Sequence, residues 1–176
     1  MKVADDQVLS ALNEAVRRQS TAATITSALR RVVDQLNTSA NLMAWEVVPL
    51  NTFAAPLPES IRSCWIFVIR PGAETGAERH PNSHQRSFSV VGSGTFELRA
   101  GTTWQPHALN STDRASVEQR WVSIPPLTWH RLFAGSEPWG MVSFHTVAPE
   151  DLIEERPVDT NDLDGETHQE RYAGRR

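Results

Sequence analysis

The feature that most restricts how this chain can fold is a change of pattern at Met43. Before it, Val8, Leu12, Ala15 and Val16, then Ile25, Leu29, Val32, Val33 and Leu36, recur at helical spacing, which predicts two amphipathic helices that use their apolar faces for packing. After it the apolar runs are short and broken by Gly, Pro, Asn and Ser, as in Cys64–Ile69, Phe88–Val91, Thr95–Leu98, Val117–Ile124 and Met141–Thr146. Strands so closely spaced return on themselves as an antiparallel sandwich or barrel. The chain therefore reads as mainly β: a helical segment over 1–40, a barrel over 43–149 and a tail over 150–176. Gln19–Thr24 offers Ser and Thr side chains to cap the second helix, and Asn37–Asn41 ends it. Tryptophans in or beside the β-rich runs give a small barrel bulky filling. After Pro149 acidic residues dominate, from Glu150 and Asp151 to Glu166 and Glu170, and predict a solvated tail.

Composition narrows the function. With 176 residues, of which 39% are hydrophobic, the chain can bury one core. A formal net charge of −4 leaves no basic stripe for phosphates, so nucleic acid is not an expected partner. No apolar stretch reaches the roughly 18–20 residues of a membrane span, and Met1–Ser10 lacks a signal core, which points to a cytoplasmic protein without a membrane partner. Cys64, the single cysteine, lies in an apolar run and reads as an inert buried thiol. Neither a Gly-rich phosphate loop nor a Gly-x-Ser-x-Gly elbow is present.

The histidines suggest the chemistry. His80 and His84 flank a Pro81–Ser83 turn, His130 follows Pro125-Pro126, and His145 ends a strand. Glu78 and His80 are two residues apart, so an extended backbone points both to one face, where a carboxylate and an imidazole can share an ion. Adding His130 completes two histidines and one carboxylate, a set that leaves positions open on iron(II) for substrate and dioxygen. His84 is the alternative ligand, in a three-histidine set. His84 and Gln85 point to opposite faces of a regular strand. Apolar Phe88 and Val90 share the parity of His84 and favour it as the inward residue. Arg70 and Arg86 are candidates to hold an acidic substrate bidentately. His107 and His168 lie in polar contexts and read as surface residues.

The stretch Gly76-Ala77-Glu78-Arg79-His80, then Gln85 and Gly92-Ser93-Gly94, then Ile124-Pro125-Pro126 and His130, resembles the two motifs of the cupin superfamily. Those are small β-barrels, or jelly rolls, with a metal in the mouth. Within it, Glu78-Arg79-His80-Pro81-Asn82-Ser83-His84-Gln85, His130-Arg131 and Ser143-Phe144-His145-Thr146-Val147 resemble the motifs of cysteine dioxygenase-type thiol dioxygenases over about half the chain. The resemblance implies an oxidoreductase with Fe(II) held by Glu78, His80 and His130. It makes Gln85 a fourth, oxygen ligand that points inward, and Ser143 and His145 a proton relay. The chain departs from that pattern in three ways. A carboxylate replaces one histidine, Val147 stands where the relay meets a tyrosine beside the substrate, and no arginine lies near Met43–Val48 to hold a substrate carboxylate. Cysteine is therefore a poor substrate candidate. The expected partners are a small molecule and O2, with a homodimer through an edge strand at Met43–Leu50. The alternatives are a cupin that binds or senses without catalysis, and a non-oxidative isomerase or decarboxylase with Mn, Ni or Zn.

Overall fold

The computed structural model describes residues 2–54 and 56–172, with side chains from Asp5 onward. Helices α1 (Lys2–Arg17) and α2 (Gln19–Asn37) open the chain. Only Arg18 separates them, so the Ser/Thr cluster expected to cap α2 lies inside it. There Thr24 Oγ1 donates to the Ser20 carbonyl at 3.2 Å, the preceding-turn bond by which a hydroxyl is accommodated within a helix. The remaining elements are β1 (Met43–Val47), β2 (Ser63–Ile69), β3 (Gln85–Val91), β4 (Ser93–Ala100), β5 (Thr103–Asn110), β6 (Trp121–Ile124), β7 (His130–Ala134), β8 (Trp139–His145), β9 (Ile153–Pro157) and β10 (Thr167–Arg171).

One sheet has the order β1-β2-β8-β3-β6 and a second β5-β4-β7. Bridges from Glu74 to Phe133 and from Glu78 to His130 add the segment around 74–78 to the free side of β7. Following the chain, β2 lies in the first sheet, 74–78 in the second, β3 in the first, the β4–β5 hairpin in the second, β6 in the first, β7 in the second and β8 in the first. All these pairings are antiparallel. The alternation wraps two antiparallel sheets around one interior. The fold is a jelly roll. It is the mainly β, helix-preceded barrel that the cupin resemblance implies. Gly92, at φ +73°, turns the chain from β3 into β4; a Cβ there would lie 2.3 Å from the Pro138 carbonyl oxygen, so only glycine fits.

Alternation along the strands divides the core in two. Cys64, Ile66 and Val68 of β2, with Val142 and Phe144 of β8, face outward and pack under Leu12, Ile25, Val32 and Leu36 of the helices. Ile69, Met141 and Trp139 face inward, with Phe96, Val122 and Leu132. The tryptophans serve both: Trp121 lies under the helices and donates to Asn13 Oδ1, whereas Trp139 fills the barrel and donates to Ser89 Oγ. Cys64 is fully buried, as expected. The strand expected over Val117–Ile124 begins only at Trp121. Residues before it turn instead, with Asn110 Oδ1 accepting from the Thr112 backbone N–H.

The expected solvated tail differs most. Residues 150–172 include the β9–β10 hairpin, which joins the barrel by a bridge between Arg79 and Glu155, and they bury Leu152 and Tyr172. Acidic composition concealed this because Glu154 and Glu155 are buried against Arg156 and Arg79. Among the described residues, no helix is long and apolar enough to cross a membrane.

Candidate metal centre

Glu78 and His130 lie directly opposite one another. Their backbones exchange both hydrogen bonds, at 2.9 and 2.8 Å, which sends both side chains to the same, inner face. His80 follows two residues after Glu78 and joins them. The ligating atoms of Glu78, His80 and His130 fall within 4.8 Å of one another, and all three side chains are buried. His80 Nδ1 lies 2.9 Å from the Ile153 carbonyl, and His130 Nδ1 lies 3.1 Å from the Thr128 carbonyl. A carbonyl only accepts, so each Nδ1 carries the proton and each Nε2 presents its lone pair. His130 Nε2 is buried without a hydrogen-bond partner, 3.5 Å from Glu78 Oε1. Two electron-rich atoms face each other there, an arrangement that a cation between them relieves. The donor set therefore fits a metal, and the backbone carbonyls orient its imidazoles as outer partners do at metal sites.

The other carboxylate oxygen is held from the hairpin. Arg156 Nη2 meets Glu78 Oε2 at 2.5 Å, its Nε meets Glu154 Oε1 at 2.6 Å, and its Nη1 donates to the Thr75 carbonyl at 3.1 Å. Burial pushes the Glu78 carboxyl upward, but His130, when a proton sits on its Nε2, and the Arg156 guanidinium outweigh it and lower its pKa to about 2. Burial, reinforced by neighbouring His130, lowers His80 to about 4. His145 is pushed well below its ordinary value by burial and by the other two histidines. At neutral pH Glu78 is a carboxylate and His80 and His145 are neutral imidazoles, the protonation state in which these groups bind metals.

Gln85 is the inward residue of the strand start. Its Nε2 donates to Ser87 Oγ at 3.0 Å, Ser87 and Ser143 hydroxyls meet at 2.5 Å, and Gln85 Oε1 is buried without a partner. His145, across the sheet from Gln85, meets Ser83 Oγ through Nδ1 at 3.2 Å; its Nε2 is unpartnered and its ring centre lies 5.2 Å from that of His80. Glu78, Gln85 and Ser143 line a cavity of about 20 Å³, walled by Phe67, Met141 and Tyr172 among others. That is room for little more than a water molecule. Tyr172 is the residue sequence reasoning missed. It is the only tyrosine, and the hairpin delivers its ring to within 6.1 Å of the His80 ring, against Trp65 at 5.1 Å. Val147 itself packs beside this group as an apolar neighbour.

Three expected site residues lie elsewhere. His84 points outward, with Nε2 2.8 Å from Ser123 Oγ. Arg86 shares its parity and grips Asp5 of α1 through Nε and Nη2 at 2.8 and 2.5 Å. Arg70 donates to the carbonyls of Leu36, Ser39 and Asn41, closing the C-terminal end of α2. His84 is thus not part of the buried ligand cluster, and neither arginine reaches the cavity, because the outer face of the sheet is covered by helices and takes the polar groups that anchor them. Phe88 and Val90, which argued for the opposite parity, are apolar because they face those helices. His107 and His168 are exposed on β5 and β10.

No family profile matches the chain, and no curated protein does. Among solved structures the chain is similar to an oxalate oxidase in complex with glycolate, at 14% identity and a TM-score of 0.48, over 62% of this chain and 53% of that one. It is also similar to the capsular polysaccharide assembling protein CapF of Staphylococcus aureus, at 14% identity and TM-score 0.48, over 62% and 28%. A third similarity is to the Lactobacillus farciminis oxalate decarboxylase, at 16% identity and TM-score 0.47, over 61% and 30%. The chain spans about half the length of the oxalate oxidase structure it matches. It is the chain's own strand order, not these distant likenesses, that makes the fold a jelly roll.

Proposed function

We propose that the chain is a mononuclear metal-dependent oxidoreductase, with Glu78, His80 and His130 holding one iron(II) ion. The observation that carries this reading is the convergence of three buried donors, two of them histidines whose Nδ1 atoms are tied to backbone carbonyls, while His130 Nε2 and Glu78 Oε1 face each other unbridged. When bound, iron(II) in a two-histidine, one-carboxylate set supplies open positions at which a substrate and dioxygen meet. The protein does the rest. Ile153 and Thr128 orient the imidazoles, and Arg156 fixes the carboxylate with one oxygen turned inward. Phe67, Met141 and Tyr172 exclude bulk water from the reacting centre. Gln85 Oε1 and His145 Nε2, both unpartnered, are the groups left to orient the substrate, and His145 with Ser83 is placed to hold a proton.

The substrate in this reading is small. Among the described residues, the cation beside the cavity, Arg156, is already engaged by Glu78 and Glu154, while Arg70 and Arg86 are turned away. An amino-acid carboxylate lying off the metal would have no cation of its own there. Within the thiol dioxygenase type, thiols without a carboxylate therefore fit better than cysteine. The test is oxygen uptake by protein loaded anaerobically with iron(II), offered cysteamine and cysteine in parallel. The reading expects uptake with cysteamine, weaker uptake with cysteine, and none with either in Glu78→Ala or His130→Ala. Stoichiometric iron with no uptake on any small thiol would overturn the thiol assignment, and failure to take up iron would overturn the metal assignment.

A further inference from the structure

Among the described residues two arginines are buried, Arg86 and Arg120. Arg86 meets Asp5, and the half-buried Arg79 and Arg156 meet Glu155 and the Glu78–Glu154 pair. Arg120, between the turn after β5 and the start of β6, is 9% exposed, and its Nε is buried with no hydrogen-bond partner. Its guanidinium lies 4.4 Å over the Phe88 ring. No ion pair forms to it among the described residues. Exposed Asp113 attracts it from the rim, while Arg17 adds a second positive charge nearby. A buried cation that makes no ion pair, with its carboxylate neighbour only at the rim, is costly, and an anion placed against it would offset that cost.

There is room for one. Arg120 and Arg17 open on a pocket of about 240 Å³ between the helical pair and β3, walled by Val16, Ile25, Phe88 and Val90, with Asp113 also on its lining, so that two guanidinium groups face one carboxylate there. It lies on the helix-covered face of β3, opposite the metal centre. We propose that this pocket is a binding site for a small organic carboxylate with an apolar body. The guanidinium edge takes the carboxylate, Arg17 reinforces it from the rim, and the aliphatic and aromatic wall takes the rest of the molecule. Inorganic phosphate fits poorly, because it has no apolar part to cover that wall and its further oxygens would face it without donors.

The site is independent of the metal, so metal-free protein suffices for the test. Benzoate is titrated while the Arg120 Nε–H signal is followed by nitrogen-15 NMR, with benzamide as the neutral match and inorganic phosphate as the anion without a body. The expected result is a saturable shift of that signal with benzoate, and binding of benzamide and phosphate about tenfold weaker or less. Arg120→Met, which keeps the length of the side chain, weakens benzoate at least about tenfold, and Arg17→Ala by about threefold. Should Arg120→Met not fold, Ala22→Leu, which fills the pocket from α2, must abolish the benzoate shift while leaving the Arg120 signal present. Benzamide or phosphate binding as tightly as benzoate, or benzoate binding unchanged in Arg120→Met or Ala22→Leu, would overturn the proposal.

Discussion

The two faces of the five-stranded sheet are made by the same strands and do opposite work. On the outer face, Phe88 of β3 and Val142 and Phe144 of β8 lie under the helices, and polar groups such as Arg86 and Ser123 are paired with Asp5. On the inner face, alternate residues of the same strands are Gln85, Ser87, Ser89, Ser143 and His145, all buried. Buried polar atoms without partners, each costing about 1–3 kcal/mol, include Gln85 Oε1 and His145 Nε2 on this side with His130 Nε2 facing them from β7, against Arg86 Nη1 and Arg120 Nε on the helix side. Apolar packing under the helices and in the barrel centre supplies the stability, and the inner face near the mouth gives some of it up for a polar, pre-formed site. The lesson is that alternation assigns two faces to a strand without saying which is inside, because here each is covered.

The comparison predicts an order of effects. Phe144→Ala empties the outer face of a fully buried ring that contacts Phe53 and Trp121. It should cost about 3–5 kcal/mol in denaturant unfolding, while the folded fraction keeps its metal stoichiometry.

Acid acts on the inner face. His80 titrates at about 4 in the folded chain against 6.5 unfolded, and His145 is depressed further. The unfolded chain therefore binds protons first as pH falls. Stability of the metal-free protein is fully present above pH 6.5 and is lost as pH drops from there toward 4. Glu78, held at about 2 against 4.5, adds a second loss below pH 4.5. Melting curves across this range check it, and a flat profile down to pH 4.5 would mean that the inner histidines are not buried as neutral groups.

Arg156→Gln frees Glu78 Oε2 and should weaken metal binding by about 10–100-fold, measured by competition with a chelator. Arg86→Gln, on the outer face, should leave affinity unchanged. Ser143→Ala removes only the Ser87 contact and should change stability by about 1 kcal/mol or less, so a larger loss would show the inner hydroxyls to be structural.

Much of the site was legible because extended backbone carries its own geometry. Glu78 and His80 share a face by spacing alone, and His130 completed their donor set and also matched the motif resemblance. The helices were legible from their period, although the boundary at Arg18 was not, since Thr and Ser within a helix can bond the preceding turn. What stayed hidden came from distant segments. Arg156, the Ile153 carbonyl and Tyr172 reach the centre from a hairpin segment whose acidic composition resembles a tail, and its pairing with Arg79 through Glu155 is visible only in three dimensions. Arg70 and Arg86 were named for a substrate because an arginine's reach does not show what it grips.

The most direct test is metal stoichiometry across the two faces, measured by titrating metal-free protein with cobalt(II) and following its visible absorption. The account predicts one equivalent in the parent and in the outer-face variant His84→Ala, and none bound tightly in Glu78→Ala, His80→Ala or His130→Ala that remain folded by circular dichroism. Loss of the site in His84→Ala, or its retention in any folded variant of the inner three, would contradict it.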